Sequence, residues 1–247
     1  MTALLVDAGN SRIKWMLWTD GRGFETGVLS TRAFRAGDAV LPESGYSQCL
    51  ASNVAGEQVA ERLRRGPGAH AQLQLVKTAV EQGGIVNAYD ETHRLGVDRW
   101  VAMLGARAEF DSACLVVDAG TAVTLDALAA DGRHLGGQIV PGAPLMMAAL
   151  ADGTSDLPDI ATSPGHAPST ADVFAASTDD AIRRGAWTAV VGAVEHAYRC
   201  LKDREGSVRL VLTGGDAPRM LDAIAAPVDH RPDLVLHGLG TILESAA

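Results

Sequence analysis

Aromatic side chains are scarce in this chain, at 4% of its 247 residues, and it has only three cysteines. Cys49, Cys114 and Cys200 lie far apart without CxxC spacing, which leaves no basis for a zinc ribbon, a dithiol redox motif or a disulfide framework. Cys114 stands within an apolar run and reads as a core residue. Positive charge is also in the minority: 21 Lys and Arg against 30 Asp and Glu give a net charge of −9. That balance argues against nonspecific binding to nucleic acid or to an anionic membrane surface. An anionic ligand must then be met by local donors: backbone amides, a single Lys or Arg, or a cation. No run approaches the ~20 apolar residues of a membrane span, and the N-terminus shows no signal-peptide pattern, so a cytoplasmic protein is expected. The seven histidines are scattered without metal-ligand spacing. Two familiar phosphate-binding signatures are missing as well, GxxxxGK(S/T) and a GxGxxG after the first strand.

What the chain does contain is one pattern written twice. Leu4-Leu5-Val6-Asp7-Ala8-Gly9-Asn10-Ser11 returns 111 positions later as Leu115-Val116-Val117-Asp118-Ala119-Gly120-Thr121-Ala122. Each copy reads as a buried strand that stops in a tight glycine-containing turn, with an aspartate at the strand end. Two related halves are expected, 1–112 and 113–247, with the last helix able to pack back on the first half.

Strands are expected at 2–8, an apolar run, at Arg12 to Trp18, where the alternation has period 2, at Phe24 to Ser30, and then at Ser47 to Val54 and Leu73 to Val76. Glu57 to Arg65 and the stretch from Val97 or Asp98 to Phe110 have helical spacing, while Gln82-Gly83-Gly84 interrupts the pattern between them. The second half predicts strands at 113–118 and Leu135 to Val140, a hairpin through Val123-Thr124-Leu125, and a helix from Pro144 to Ala151. Residues 152–171 read as a surface loop or flap, and a long helix from Thr178 to Asp203 follows, with Ser177 or Thr178 as its N-cap. Strand Val208 to Leu212 leads to Thr213-Gly214-Gly215-Asp216, after which a helix is expected, and a short helix from Gly240 to Glu244 closes the chain.

Strand-to-turn loops with bare backbone amides suit phosphate, and an aspartate beside phosphate commonly holds a cation, directly or through water. Asn10, Ser11, Thr121 and Thr124 add short polar groups, and Lys14 is either a point charge for phosphate or a solvated strand residue. Either aspartate alone could simply cap its own turn; the repetition weakens that reading. The Gly214-Gly215 pair leaves room for a flat group such as a purine against the backbone. In Gly96-Val97-Asp98-Arg99-Trp100, Asp98 reads as an N-cap or as a carboxylate able to take a proton from a hydroxyl. Arg99 reads as a surface ion-pair partner or as a bidentate clamp for an anion.

Taken in order, Asp7 to Ser11, Gly96 to Arg99, Asp118 to Thr124, Gly136 to Gly142 and Thr213 to Asp216 resemble the bacterial type III pantothenate kinases. The resemblance runs from the first strand to the last helix, with Ser11 standing where many members have threonine. It implies an α/β duplicated RNase H-like fold of the actin-like ATPase kind, two mixed-sheet halves with a nucleotide cleft between them. It further implies ATP-dependent phosphorylation of pantothenate to 4′-phosphopantothenate, the first step of coenzyme A synthesis. By the same resemblance Asp98 matches the general base, and Tyr89, Gly96, Val97, Asp98, Arg99 and Thr178 match pantothenate-binding positions. Asp7, Ala8, Gly9, Asn10, Ser11, Arg12, Ile13, Lys14 and Thr121 match ATP-binding positions, to which the glycine reading adds Gly214 and Gly215. Asp118 matches the ligand of a monovalent cation, K⁺ or NH₄⁺, and Asp7 is expected to hold Mg²⁺ through water. A homodimer is implied. An ATP-binding regulatory protein of the same fold, or a kinase for another small hydroxy acid or sugar, remain alternatives.

Overall fold

The computed structural model describes residues 1–169 and 172–245; positions 170 and 171 of the expected 152–171 flap lie outside the described residues. The chain divides into two units, Met1–Glu109 with the segment from Asp233 onward, and Phe110–Pro232.

The first unit begins with three strands, β1 (Ala3–Ala8), β2 (Arg12–Thr19) and β3 (Arg22–Ser30), followed by the short helix α1 (Thr31–Ala36). β4 (Gln48–Asn53), α2 (Glu57–Arg65) and β5 (Gln72–Leu75) form a parallel β-α-β step. The sheet order is β3-β2-β1-β4-β5, with the first three strands antiparallel and the last three parallel. Asp20 and Gly21 both have positive φ and make the two-residue β2–β3 turn, as its tight twist requires. One face of β1, Leu4, Val6 and Ala8, is buried under Phe34 of α1 and Val59 and Leu63 of α2. A fully buried side chain of this size contributes roughly 1.5–3 kcal/mol, so this alternating face, rather than helix propensity, holds α1 and α2 in place. A two-stranded hairpin, β6 (Glu81–Gln82) with β7 (Ile85–Val86), precedes α3 (Val97–Glu109).

The second unit repeats the plan. Its strands are β8 (Ala113–Ala119), β9 (Ala122–Leu128) and β10 (His134–Pro141), with α4 (Ala143–Gly153) next. The long α5 (Thr178–Glu205) then leads to β11 (Val208–Thr213) and β12 (Val228–His230). The order β10-β9-β8-β11-β12 reproduces the first sheet strand for strand, with the same parallel and antiparallel pairings. Leu115 and Val117 of β8 and Leu210 and Leu212 of β11 are buried against Trp187, Val190 and Val194 of α5. As expected from the sequence, Ser177 caps α5, its hydroxyl accepting from the Asp180 amide.

The chain ends in α6 (Leu234–Ser245), which packs on α3 in the first unit. Two expectations need correction. The closing helix starts at Leu234, six residues before Gly240, because Gly238 and Gly240 are contact residues inside it. A Cβ on Gly238 would run into the Val101 backbone of α3, so a residue that weakens an isolated helix is what permits this crossing. The region after Asp216 is no α-helix but two 3-10 turns, Ala217–Arg219, which contains Pro218, and Leu221–Ala223, with Pro227 beyond them.

Candidate active site

In the first unit, Asp7 is half-buried near the end of β1, opposite Lys14 on β2 and beside Ser52 on β4. Residues paired in register share a face of the sheet, so the ammonium and the hydroxyl flank the carboxylate. Lys14 Nζ also lies 3.8 Å from Asp233 Oδ1. Ser52 is fully buried, and its Oγ has no hydrogen-bond partner. A buried polar atom in that condition is costly unless something else meets it. The turn itself is closed by the Gly9 amide donating to the Arg12 carbonyl at 3.0 Å. Buried Thr31 braces it from α1: its amide donates to the Ser11 carbonyl and its hydroxyl to the Gly9 carbonyl, at 3.1 and 2.7 Å. Asn10, Ser11 and Arg12 are exposed, whereas the side chains of Ala8 and Ile13 are core, so these two offer only backbone groups to a ligand.

In the second unit, half-buried Asp118 on β8 pairs with Thr124 on β9 and Thr213 on β11. The Gly120 amide closes the turn onto the Ala122 carbonyl at 3.1 Å, and the Gly142 amide donates to the Thr121 carbonyl at 2.9 Å. Gly142 is the N-cap of α4, so this turn too is braced by the helix that follows the third strand. Gly214 has φ +98°, and a Cβ there would collide with Asp118 Oδ1 and the Ala119 backbone, so only glycine keeps the carboxylate where it is. The Asp216 amide returns to the Ala119 carbonyl at 2.9 Å. Thr121 and Gly215 are exposed, as is Thr178, the first residue of α5.

The segment Gly96 to Arg99 opens α3 in the first unit, with the Trp100 amide donating to the Gly96 carbonyl at 3.1 Å. Asp98 lies in the first helical turn, where the helix N-terminus favours its negative charge. Its Oδ1 accepts from the Arg99 amide at 2.8 Å. Arg99 is 6% exposed, and its Nη1 donates to the Tyr89 hydroxyl at 3.3 Å. Tyr89 and Arg99 are thus brought together, as are Asp7 with Lys14 and Asp118 with Gly214.

Sequence reasoning missed Ser52 and Thr31, and it gave Gly142 of the Gly136 to Gly142 motif no role of its own. Only the sheets reveal Ser52: β4 corresponds to β11, so Ser52-Asn53 occupies the place of Thr213-Gly214. A cavity of about 400 Å³ in the first unit, lined by Trp18, Gln48, Gln72 and Glu244, lies at the starting ends of β4 and β5, away from Asp7 and Ser52. Among the described residues no group of three or more His, Cys, Asp or Glu gathers to hold a metal. A cation at Asp7 or Asp118 would therefore complete its shell with water, carbonyls or ligand oxygens, as Mg²⁺ commonly does with nucleotides.

Two sheets of identical 3-2-1-4-5 plan, each with an aspartate turn at its central strand, define an α/β protein of the actin-like ATPase fold. Solved structures agree: a Baf family protein from Campylobacter jejuni has TM-score 0.55 at 21% identity, covering 98% of this chain and 97% of its own. Ethanolamine utilization protein EutJ from Carboxydothermus hydrogenoformans has TM-score 0.53 at 17% identity, covering 98% and 89%. The chain belongs to the type III pantothenate kinase family, whose profile matches residues 3–200. Type III pantothenate kinases of Aromatoleum aromaticum and Burkholderia thailandensis are 39% and 40% identical to it, over 99% and 98% of this chain and 98% of each relative. That of Nitrosococcus oceani is 36% identical over 99% of this chain and 94% of its own.

Proposed function

We propose that this protein transfers the γ-phosphoryl group of ATP to the primary hydroxyl of pantothenate, giving 4′-phosphopantothenate, the first step of coenzyme A synthesis. The observation that carries this reading is the start of α3, where a first-turn carboxylate stands next to a buried guanidinium held on a tyrosine hydroxyl. Asp98 accepts the proton of the substrate hydroxyl as the new P–O bond forms, the role phosphoryl transfer asks of a nucleophile-orienting residue. Arg99, with Tyr89, Gly96, Val97 and Thr178, holds the acceptor; a guanidinium fork suits its carboxylate. The backbone and short side chains of Asp7 to Lys14 grip the phosphates, Lys14 adding a positive charge. Thr121 and the Gly214-Gly215 turn contact the remainder of ATP.

The residues at the two aspartates fit the cations of the family. Beside Asp7, the orphaned Ser52 hydroxyl and the absence of a carboxylate cage among the described residues suit Mg²⁺ held through water. Beside Asp118, the hydroxyls of Thr124 and Thr213 form a neutral oxygen set suited to K⁺ or NH₄⁺. When bound, these ions neutralise phosphate charge. No helix of the described residues is long and apolar enough to cross a membrane. Homodimer formation, implied by the family resemblance, is part of the same proposal; light scattering should give twice the mass of the chain.

The test is ³¹P NMR of a mixture of protein, ATP, Mg²⁺, K⁺ and pantothenate. A new phosphomonoester signal on pantothenate is expected. Phosphorylation of a panel sugar or hydroxy acid in its place would transfer the protein to another substrate.

A further inference from the structure

Ahead of α3, the hairpin β6–β7 and the loop that follows it are knitted together by one side chain. The Asn87 amide nitrogen of the backbone donates to the Val80 carbonyl at 2.9 Å, closing the hairpin. Its side-chain Nδ2 donates to the Ala79 carbonyl at 3.1 Å, on the chain entering the hairpin. Its Oδ1 accepts from the Tyr89 amide at 3.0 Å, on the chain leaving it. The last bond alone is an ordinary Asx turn. The bond to Ala79, eight residues away, ties that turn to the entering strand and so fixes where Tyr89 stands. The hairpin in turn is anchored on α3: the indole N–H of buried Trp100 donates to Gln82 Oε1 at 3.2 Å, and Ile85 is fully buried. Thr78 Oγ1 donates to the Thr92 carbonyl at 2.7 Å, closing the same loop from its other side. Tyr89 is where this clasp meets the site, because its hydroxyl accepts from Arg99 Nη1.

We infer that Asn87 is a positioning residue for the acceptor substrate: it holds Tyr89, and through it the Arg99 guanidinium, in the geometry that binds the small hydroxy acid. This rests on the proposed assignment of Tyr89 and Arg99 to pantothenate. Asn87 touches neither the Asp7 turn nor Asp98 by any of these three bonds, so its effect falls on the acceptor and not on ATP.

The experiment is steady-state kinetics of Asn87→Ala and Asn87→Asp with both substrates varied, beside Arg99→Lys and Tyr89→Phe. Asn87→Ala should raise the pantothenate KM by about tenfold, the loss of one or two part-buried hydrogen bonds, with the ATP KM within about twofold. Asn87→Asp keeps the acceptor for the Tyr89 amide and loses the donor to Ala79, so it should lie between wild type and Asn87→Ala, and it serves if the alanine variant does not fold. An unchanged pantothenate KM in both Asn87 variants, or equal rises for both substrates, would overturn the inference. If Arg99→Lys and Tyr89→Phe shift that KM while the Asn87 variants do not, only the clasp is wrong. If all four leave it unchanged, the acceptor site itself is misplaced and the inference falls with it.

Discussion

The two aspartate turns share strand order, register and bracing, yet they differ in what stands opposite the carboxylate. Asp7 faces the ammonium of Lys14 and a buried serine whose hydroxyl is unmet. Asp118 faces two threonines, one of which, Thr213, already donates to the Pro232 carbonyl at 3.3 Å. The first turn spans three residues between its strands and the second two. β4 ends on Asn53 in the first unit, where the second has Gly214 pressed on the aspartate just after β11. The two turns share one scaffold, and a handful of side chains sets an ammonium opposite one carboxylate and neutral hydroxyls opposite the other.

The largest effect should come from neither turn. Asp98→Asn is expected to lower turnover by roughly 10²–10⁴-fold, the range for a lost general base, while leaving ATP affinity by calorimetry unchanged. Near-normal turnover would return the proton chemistry to one of the turns. Next in size is the cation response. Asp118→Ala should abolish activation by K⁺, and Asp7→Ala should leave the K⁺ midpoint in place while raising the Mg²⁺ requirement. Identical titrations for the two variants would erase the distinction between the turns. A smaller difference separates their partners: Lys14→Ala should weaken ATP by about tenfold, the loss of one charge-assisted hydrogen bond, and Thr124→Val by only about two- to threefold. If Thr124→Val costs more than Lys14→Ala, the charged turn has been assigned to the wrong half.

The smallest effect compares the two sheets themselves. Burial pushes the Cys49 thiol of the first sheet up to about 12, and Cys114 of the second is 1% exposed; Cys200 on α5 is exposed. Because a raised thiol pKa leaves almost no thiolate below it, alkylation of the native protein at pH 8 should label Cys200 alone. Mass spectrometry showing Cys49 or Cys114 labelled at a similar rate would mark its sheet as the one that opens.

Much of this was readable from side-chain periodicity. α2 from Glu57 to Arg65 and the start of α3 at Val97 were legible because their apolar residues recur at helical spacing, and the repeat at Asp7 and Asp118 announced two sheets. What escaped is contact-dependent. The first turns of α6 were hidden because Gly238 and Gly240 lower helix propensity, and their reason for being there, Val101 and Trp18, lies far off in sequence. The β6–β7 hairpin looked like a broken pattern because Gly83 and Gly84 form its whole turn. Ser52 gives no local sign of interest; only the parallel register sets it beside Asp7. Asn87 reads as a loop asparagine until its second hydrogen bond, to Ala79, is seen.

The most direct test is a coupled assay of ADP release under four conditions, with and without pantothenate and with and without K⁺. ADP release that requires pantothenate and is strongly stimulated by K⁺ is the predicted result. Equal release without pantothenate would make the protein an ATPase. ATP binding with no release under any condition would make it a nucleotide-binding regulator, and either result would contradict the account.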